Sequence, residues 1–273
     1  MNSVMVHRRG RIEMYRQGAD TPEYWDAHWK QYPPESMEGM GVYIGFRDAI
    51  ERFMPRDGLI IEAGCGNGNT ARTIRSAGYD IEGVDFAPDV IEANRAIDPR
   101  GRYRVGDVRA LPYASDSLAG YISLGVVEHF DDETRRRILL EAARCLRPGG
   151  VALVTVPYFN SLRFMRYGLA PRRQVPKDLP FYQYFFRRRE MLAEVEAAGL
   201  RIEHVDAYDV YKGIKDTIGF RNAMDRLRAR GRVWRRLVDH PPRWVRAAAG
   251  HMLLVVAVKP ETPSSQAASR RAA

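Results

Sequence analysis

The sequence predicts an α/β fold: a doubly wound, mostly parallel sheet of seven strands with helices on both faces. Three observations carry this. Short apolar runs alternate with stretches of helical periodicity from residue 58 to residue 156. The first run enters its helix through a glycine-rich turn, Gly64-Cys65-Gly66-Asn67-Gly68. The first run (Leu59 to Ala63) and the last (Met252 to Val258) are too continuous in apolar residues for a strand with a wet face.

Each element has its own signal. Gly58 to Gly64 reads as the first strand, and Asn69-Thr70 supplies capping side chains for a helix carrying Ala71 and Ile74 on one face, with Gly78 where it would end. Asp80 to Asp85 is the second strand. Pro88-Asp89 opens a helix with Val90, Ile91, Asn94 and Ile97 at helical spacing. Arg102–Gly106 and Leu118–Leu124 are strands three and four. Asp131-Asp132-Glu133 starts a helix that turns Ile138, Leu139, Ala142, Ala143 and Leu146 inward, Pro148-Gly149-Gly150 stops it, and Val151–Val156 is strand five. The helix Glu190–Ala198, the strand Arg201–Tyr208 and the strand Met252–Val258 complete the set.

Two interruptions, at 158–190 and 209–250, follow strands five and six and read as lids over the carboxyl ends of the strands, where such sheets bind ligands. The expected organisation is a helical cap over residues 1–50, a sheet domain over 51–260 carrying these lids, and a disordered tail over 261–273.

Composition narrows the function. Across 273 residues, 45% are hydrophobic and 28% charged, which excludes disordered, collagenous and coiled-coil chains. The late apolar run is much shorter than the roughly 20 residues of a membrane-spanning helix, and the arginine-containing start has no secretory apolar stretch, so a cytoplasmic protein is expected. Cys65 and Cys145 have no metal-ligand spacing around them, so neither a disulfide framework nor a metal site is expected. The net charge of +9 is concentrated. Residues 159–189 hold eight basic residues against Asp178, and 211–250 hold eleven against Asp216, Asp225 and Asp239.

The chemistry starts at the glycine turn. Its glycines let backbone N–H groups approach a ligand, and the helix N-terminus behind them favours negative charge. A dinucleotide fingerprint G-x-G-x-x-G would need a third glycine where Asn69 stands; the spacing here is G-x-G-x-G, preceded by Glu62. Asp85 ends the second strand, where a carboxylate can accept both hydroxyl protons of a ribose, and Asp107 ends the third. This series resembles the class I S-adenosylmethionine (SAM)-dependent methyltransferases, in particular the bacterial type 11/12 small-molecule and glycan-pathway subgroup. The Leu124-Gly125-Val126-Val127-Glu128-His129-Phe130 and Leu146-Arg147-Pro148-Gly149-Gly150 segments resemble the family too.

The resemblance implies a Rossmann-like fold and SAM as cofactor, held by Glu62, Gly64, Cys65, Gly66, Asn67, Gly68, Asp85, Phe86, Asp107, Val108, Leu124 and Gly125. It places Asp107 by the adenine amino group. His129, after strand four, is the candidate general base, with Glu128, Tyr158 and His28 behind it. In the pre-sheet segment, Trp25 and Trp29 read as anchors of a cap helix, and Tyr24 is the aromatic residue to watch for a contact with the cofactor. The acceptor is expected to be a small-molecule, glycan or lipid-linked compound, anionic in character; Phe181, Tyr182, Tyr184, Phe185 and Phe186 beside Arg187, Arg188 and Arg189 suit either a clamp on its phosphate or carboxylate or plain apolar packing of the aromatics. Segment 218–250 interleaves arginines with Phe220, Met224, Leu227, Val233, Trp234, Leu237 and Val238, a pattern that suits either a packed lid helix or peripheral contact with an anionic membrane. Nucleic acid is disfavoured as substrate because Leu124–Val127 is not the Asn/Asp-Pro-Pro-aromatic run of base-amino methyltransferases, and Cys145 sits in a helix behind the sheet. A binding protein that keeps the fold without catalysis is the other rival, weakened by the intact acids and glycines.

Overall fold

A computed structural model describes residues 3–8, 11–16, 22–31, 44–169, 179–218, 225–226, 229–232 and 240–261. In chain order the elements are β1 (Ser3–Arg8), β2 (Arg11–Arg16), α1 (Pro22–Gln31), α2 (Ile44–Phe53), β3 (Ile60–Ala63), α3 (Asn69–Ser76), β4 (Ile81–Asp85), α4 (Pro88–Ile97), β5 (Arg102–Val105) and β6 (Leu118–Leu124). There follow α5 (Asp132–Cys145), β7 (Leu146–Pro157), the short α6 (Ser161–Arg163) with a π-helical turn Phe164–Gly168, β8 (Phe181–Phe185), α7 (Arg188–Ala197), β9 (Arg201–Tyr208), α8 (Val210–Ile218), α9 (Arg243–Ala249) and β10 (Met252–Val258).

Seven strands form one sheet in the order β5-β4-β3-β6-β7-β10-β9, as the alternating pattern predicts. β5, β4, β3, β6 and β7 are parallel neighbours, and β10 runs antiparallel between β7 and β9. β3 carries β4 on one side and β6 on the other, so the strand order reverses there and a crevice opens at its carboxyl end. Two apolar layers cover the two faces. Ile61, Ile138, Leu139, Met191 and Val195 pack one side under α5 and α7; Ile50, Ile60, Ile74, Ile91 and Ile122 pack the other under α2, α3 and α4.

Three features differ from the sequence expectation. Residues 1–50, read as a helical cap, contain helix α1 but also the hairpin β1–β2, which pairs with β8 in a separate three-stranded antiparallel sheet. Val4 pairs with Tyr15, Met5 with Met14, Val6 with Glu13 and His7 with Ile12, and only Ile12 and Met14 alternate with polar residues, over a run too short to stand out from helix. β8 lies in the first insert, so that lid is part strand. Pro148-Gly149-Gly150 does not stop a helix: α5 ends at Cys145, and β7 already starts at Leu146, with a register shift against β6 between Leu118 and Gly120. Residues 170–178, 219–224, 227–228, 233–239 and 262–273 lie outside the described residues, and with them the expected tail and all seven apolar residues of the 218–250 pattern.

Arg135 joins the small sheet to the large one. It is fully buried, donates to both carboxylate oxygens of Glu194 (2.5 and 2.7 Å), to Asp132 and to the Phe130 carbonyl, and lies against the rings of Tyr184 and Phe186. Arg11 of β2 reaches the same acids, pairing with Asp132, Glu190 and Glu194.

Candidate active site

The turn after β3 is rigid because its alternatives are blocked. Gly64 has φ 75°, and a Cβ there would stand 2.5 Å from Val126 Cγ2, where β6 leaves the sheet. Asp85, at the end of β4 and buried, accepts the Gly66 N–H at 2.8 Å and the Ala87 N–H at 3.1 Å. Asn94 donates its side-chain amide to the Gly66 carbonyl at 2.7 Å. Asn69 and Thr70 were expected to cap α3; instead Gly68 occupies the cap position with no side-chain hydrogen bond. Glu62 reaches across from β3, accepting from the Ala71 N–H and the Thr70 hydroxyl. The α3 N-terminus thus faces the crevice.

That crevice is a cleft of about 1550 Å³. It brings together Glu62, Gly64, Cys65, Asn67, Asp85, Phe86, Asp107, Val108, Leu124, Gly125 and His129. Gly66 and Gly68 are not on its wall. Gly66 lies under the Trp29 ring, and Gly68 lies against Asn94 and Tyr103, so both serve the turn's shape. Phe86 is 43% exposed within the cleft, a flat apolar surface beside Asp85. Asp107 is bridged by Arg109, which donates through its backbone N–H (2.8 Å) and guanidinium (2.7 Å) and holds the carboxyl below its usual range.

Two buried carboxyls face the cleft with an oxygen that lacks a hydrogen-bond partner among the described residues: Glu62 Oε2 and Glu128 Oε2. Burial pushes each up to about 8, and for Glu62 the neighbouring Asp85 adds to the effect. The Cys65 thiol is pushed far up by burial, which makes it an inert wall.

An aromatic roof closes one side. The His129 ring stands 4.8 Å from Trp25 and 4.9 Å from Tyr182 by centroids, and Trp25 stacks on Tyr182. His129 Nδ1 lies 2.6 Å from the Tyr182 carbonyl; since a carbonyl only accepts, this nitrogen carries the proton. Burial lowers the imidazole to about 4. Both tryptophans line the cleft, so they do more than the anchoring expected of them.

The far arm of the cleft holds residues that sequence reasoning missed. Arg163 of α6 is 2% exposed and donates to the carbonyls of Tyr158 (2.6 Å) and His251 (2.9 Å) and to His251 Nδ1 (2.7 Å). Lys212, Asp209 and Asp216 share that arm. Nothing marked Arg163 among nineteen cations of two basic segments; it contacts the nearby Tyr158 carbonyl and His251, eighty-eight residues away. Arg187, Arg188 and Arg189 do not reach the cleft: they are exposed, with Arg187 over the rings of Phe159 and Phe164. Tyr158 is also off the cleft wall.

A family profile described as a methyltransferase domain matches residues 60–150, from β3 into β7. A Mycolicibacterium smegmatis protein named as a probable S-adenosylmethionine-dependent methyltransferase is 32% identical over 154 residues, 56% of this chain and 55% of the relative. Over residues 60–150 the chain carries a methyltransferase domain similar to the class I SAM-dependent methyltransferases, and it spans little more than half the length of that relative. A ubiquinone biosynthesis O-methyltransferase of Xylella fastidiosa is 26% identical over 71% of this chain and 79% of its own. Among solved structures, a SAM-dependent methyltransferase of Methanosarcina mazei superposes with a TM-score of 0.57 at 15% identity, covering 81% of this chain and all of that one. Geranyl diphosphate C-methyltransferase of Streptomyces coelicolor, solved with S-adenosyl-L-homocysteine, gives 0.52 at 16% identity over 79% and 80% of the two chains. SAM is the cofactor of this protein. The cleft's chemistry fits it: an orphaned carboxylate oxygen for a cationic amine, a strand-end acid for a ribose, and an exposed ring for a base.

Proposed function

We propose that this methyltransferase acts on an anionic acceptor, small or lipid-linked, bound in the arm of the cleft between α6, α8 and β10. The observation that carries this reading is Arg163. A guanidinium buried to 2% exposure has, among the described residues, only carbonyls and an imidazole as hydrogen-bond partners and no carboxylate in an ion pair. Asp216 and Asp209 act on this charge only through space, without an ion pair, and an anionic ligand would offset the remaining cost of burying it. Burial drives the His251 imidazole down to about 2, and Lys212, Arg163 and Lys215 add to the effect in the same direction. Asp209 and Asp216 balance part of this charge, and burial holds Asp209 above its usual range, toward its neutral form.

In this reading Glu62, Asp85, Phe86 and Asp107 orient the cofactor, whose bound sulfonium supplies an activated methyl group. The aromatic roof of Trp25, Tyr182 and His129 excludes water, so alignment of the acceptor does most of the catalytic work. Where the acceptor gives up a proton, Glu128 takes it at Oε2. A carboxyl poised near 8 is a far better acceptor at neutral pH than an imidazole near 4, and a nearby cation would favour its ionised form. His129, first expected as the base, instead stays neutral and pins β8 over the cleft through the Tyr182 carbonyl.

The test incubates the protein with methyl-labelled SAM and an extract of its source organism, then passes the products over an anion exchanger. Label retained by the resin, absent with Asp85→Ala and reduced with Lys212→Met, is the expected result. A labelled product that flows through uncharged would refute an anionic acceptor.

A further inference from the structure

One corner of the molecule exposes large apolar side chains on a firm support. Trp244 is 75% exposed, Leu169 71%, Met165 61%, Phe164 41% and Ile218 40%. They sit on α9, on the π-helical turn that continues α6 and its end, and on the last residue of α8, and α6, α8 and α9 pack against one another. Trp244 is not on a loose loop. Its helix is clamped to β9 by Arg246, which donates to both carboxylate oxygens of Asp206 (3.1 and 2.6 Å), and by Ala249, which is buried. Scattered single apolar residues on a surface are ordinary, but five on three neighbouring helices form a patch.

Exposed cations stand at the same corner: Arg166 and Arg243 on these elements, and Arg187, whose guanidinium lies over the Phe164 ring. Leu169 and Ile218 are the residues from which the two basic segments depart: Arg172, Arg173 and Lys177 follow the first, and seven arginines between 221 and 236 follow the second. Outside residues 159–189 and 211–250, acidic residues outnumber basic ones, so the net positive charge of the chain belongs to these two segments of the sequence. Exposed tryptophan and aliphatic tips ringed by arginine match the interface of an anionic bilayer, where apolar groups sit at headgroup level and each cation adds attraction. Among the described residues no helix is long and apolar enough to cross a membrane, so contact of this kind would be peripheral.

We propose that this corner docks the protein on anionic phospholipid, with Trp244, Met165 and Leu169 as its apolar anchors. The inference rests on exposure and charge and stands apart from the methyl-transfer reading. It has a consequence for the cleft: Arg163 on α6 and Lys212 on α8 line the acceptor arm, so that arm would open beside the lipid surface.

The experiment uses the full chain with large unilamellar vesicles of phosphatidylcholine, alone or with about 30% phosphatidylglycerol, in a sedimentation assay at low salt and at about 0.5 M salt. The expected outcome is binding to phosphatidylglycerol vesicles that falls more than tenfold on phosphatidylcholine alone and weakens at high salt. Trp244→Ala with Met165→Ser should lower the partition at least fivefold while circular dichroism and binding of S-adenosyl-L-homocysteine stay unchanged. Absence of binding, or equal binding by the double variant, overturns the proposal. So does light scattering that shows a dimer lost with Trp244→Ala, which would make the patch an interface between copies. Shielding of Trp244 from iodide in vesicle-free protein, read as the difference from Trp244→Phe, would mean that residues 219–239 cover it, and would also overturn the proposal.

Discussion

Glu62 is where a single side chain carries the most information. Its carboxyl is fully enclosed, takes the Ala71 N–H and the Thr70 hydroxyl on one side, and leaves Oε2 without a partner facing the cleft. Burial first, then the neighbouring Asp85 charge, raise it to about 8, so in the free protein it holds a proton at neutral pH. A cation bound beside it reverses that preference, and binding then expels the proton. The sign follows: affinity for SAM should rise as pH climbs toward 8 and level off above it, by up to about tenfold per unit for one proton. Titration calorimetry at pH 7 in two buffers of different ionisation enthalpy reads the proton directly. Wild type should release close to one proton more than Glu62→Gln; equal values for the two proteins would remove Glu62 from the cofactor's cationic end. The same raised value means that a neutral Glu62 favours folding at low pH, a contribution lost as pH rises from the usual carboxylate range through about 8 in the free protein.

The elements that hold these groups depend on one buried ion network. Arg135 on α5 binds Glu194 on α7 through two donors and also holds the Phe130 carbonyl just beyond the His129 turn. Replacing it by methionine would leave Glu194 with only the longer Arg11 contact and the carbonyl unsatisfied, at a cost of about 1–3 kcal/mol, readable as a lower urea midpoint at an unchanged slope. A loss within about 0.5 kcal/mol would show that packing against Tyr184 and Phe186 carries the site instead. The strands and helices around it were legible in the sequence because their signals are local: apolar runs of strand length, glycines with positive φ, prolines at helix starts. β9 and β10 fall where the sequence puts them. The β1–β2–β8 sheet was not legible, since it pairs Ile12 with Phe185 across more than 170 residues and no local pattern encodes that partner. Arg163 escaped for the same reason: besides the nearby Tyr158 carbonyl it contacts His251, eighty-eight residues away. The cofactor side, by contrast, is assembled from consecutive strand ends, and eleven of the thirteen expected site residues line the cleft while Gly66 and Gly68 shape it from behind.

Over the whole molecule, the reversal of strand order at β3 decides where chemistry can occur. It leaves the carboxyl ends of β3, β4 and β6 open to one cleft, and α1, β8 and α8 wall the rest. Asp85 stands at the middle of that arrangement, tied to the glycine turn through Gly66 and to α4 through Ala87. The most direct test is calorimetric titration of S-adenosyl-L-homocysteine into the wild-type protein and into Asp85→Asn, with thermal unfolding of both as the check on folding. The expected result is one-to-one binding by the wild type that weakens at least tenfold, about 1.4 kcal/mol or more, in a folded Asp85→Asn protein. Undiminished binding by Asp85→Asn, or no binding by folded wild type, would contradict the assignment of this cleft to the cofactor.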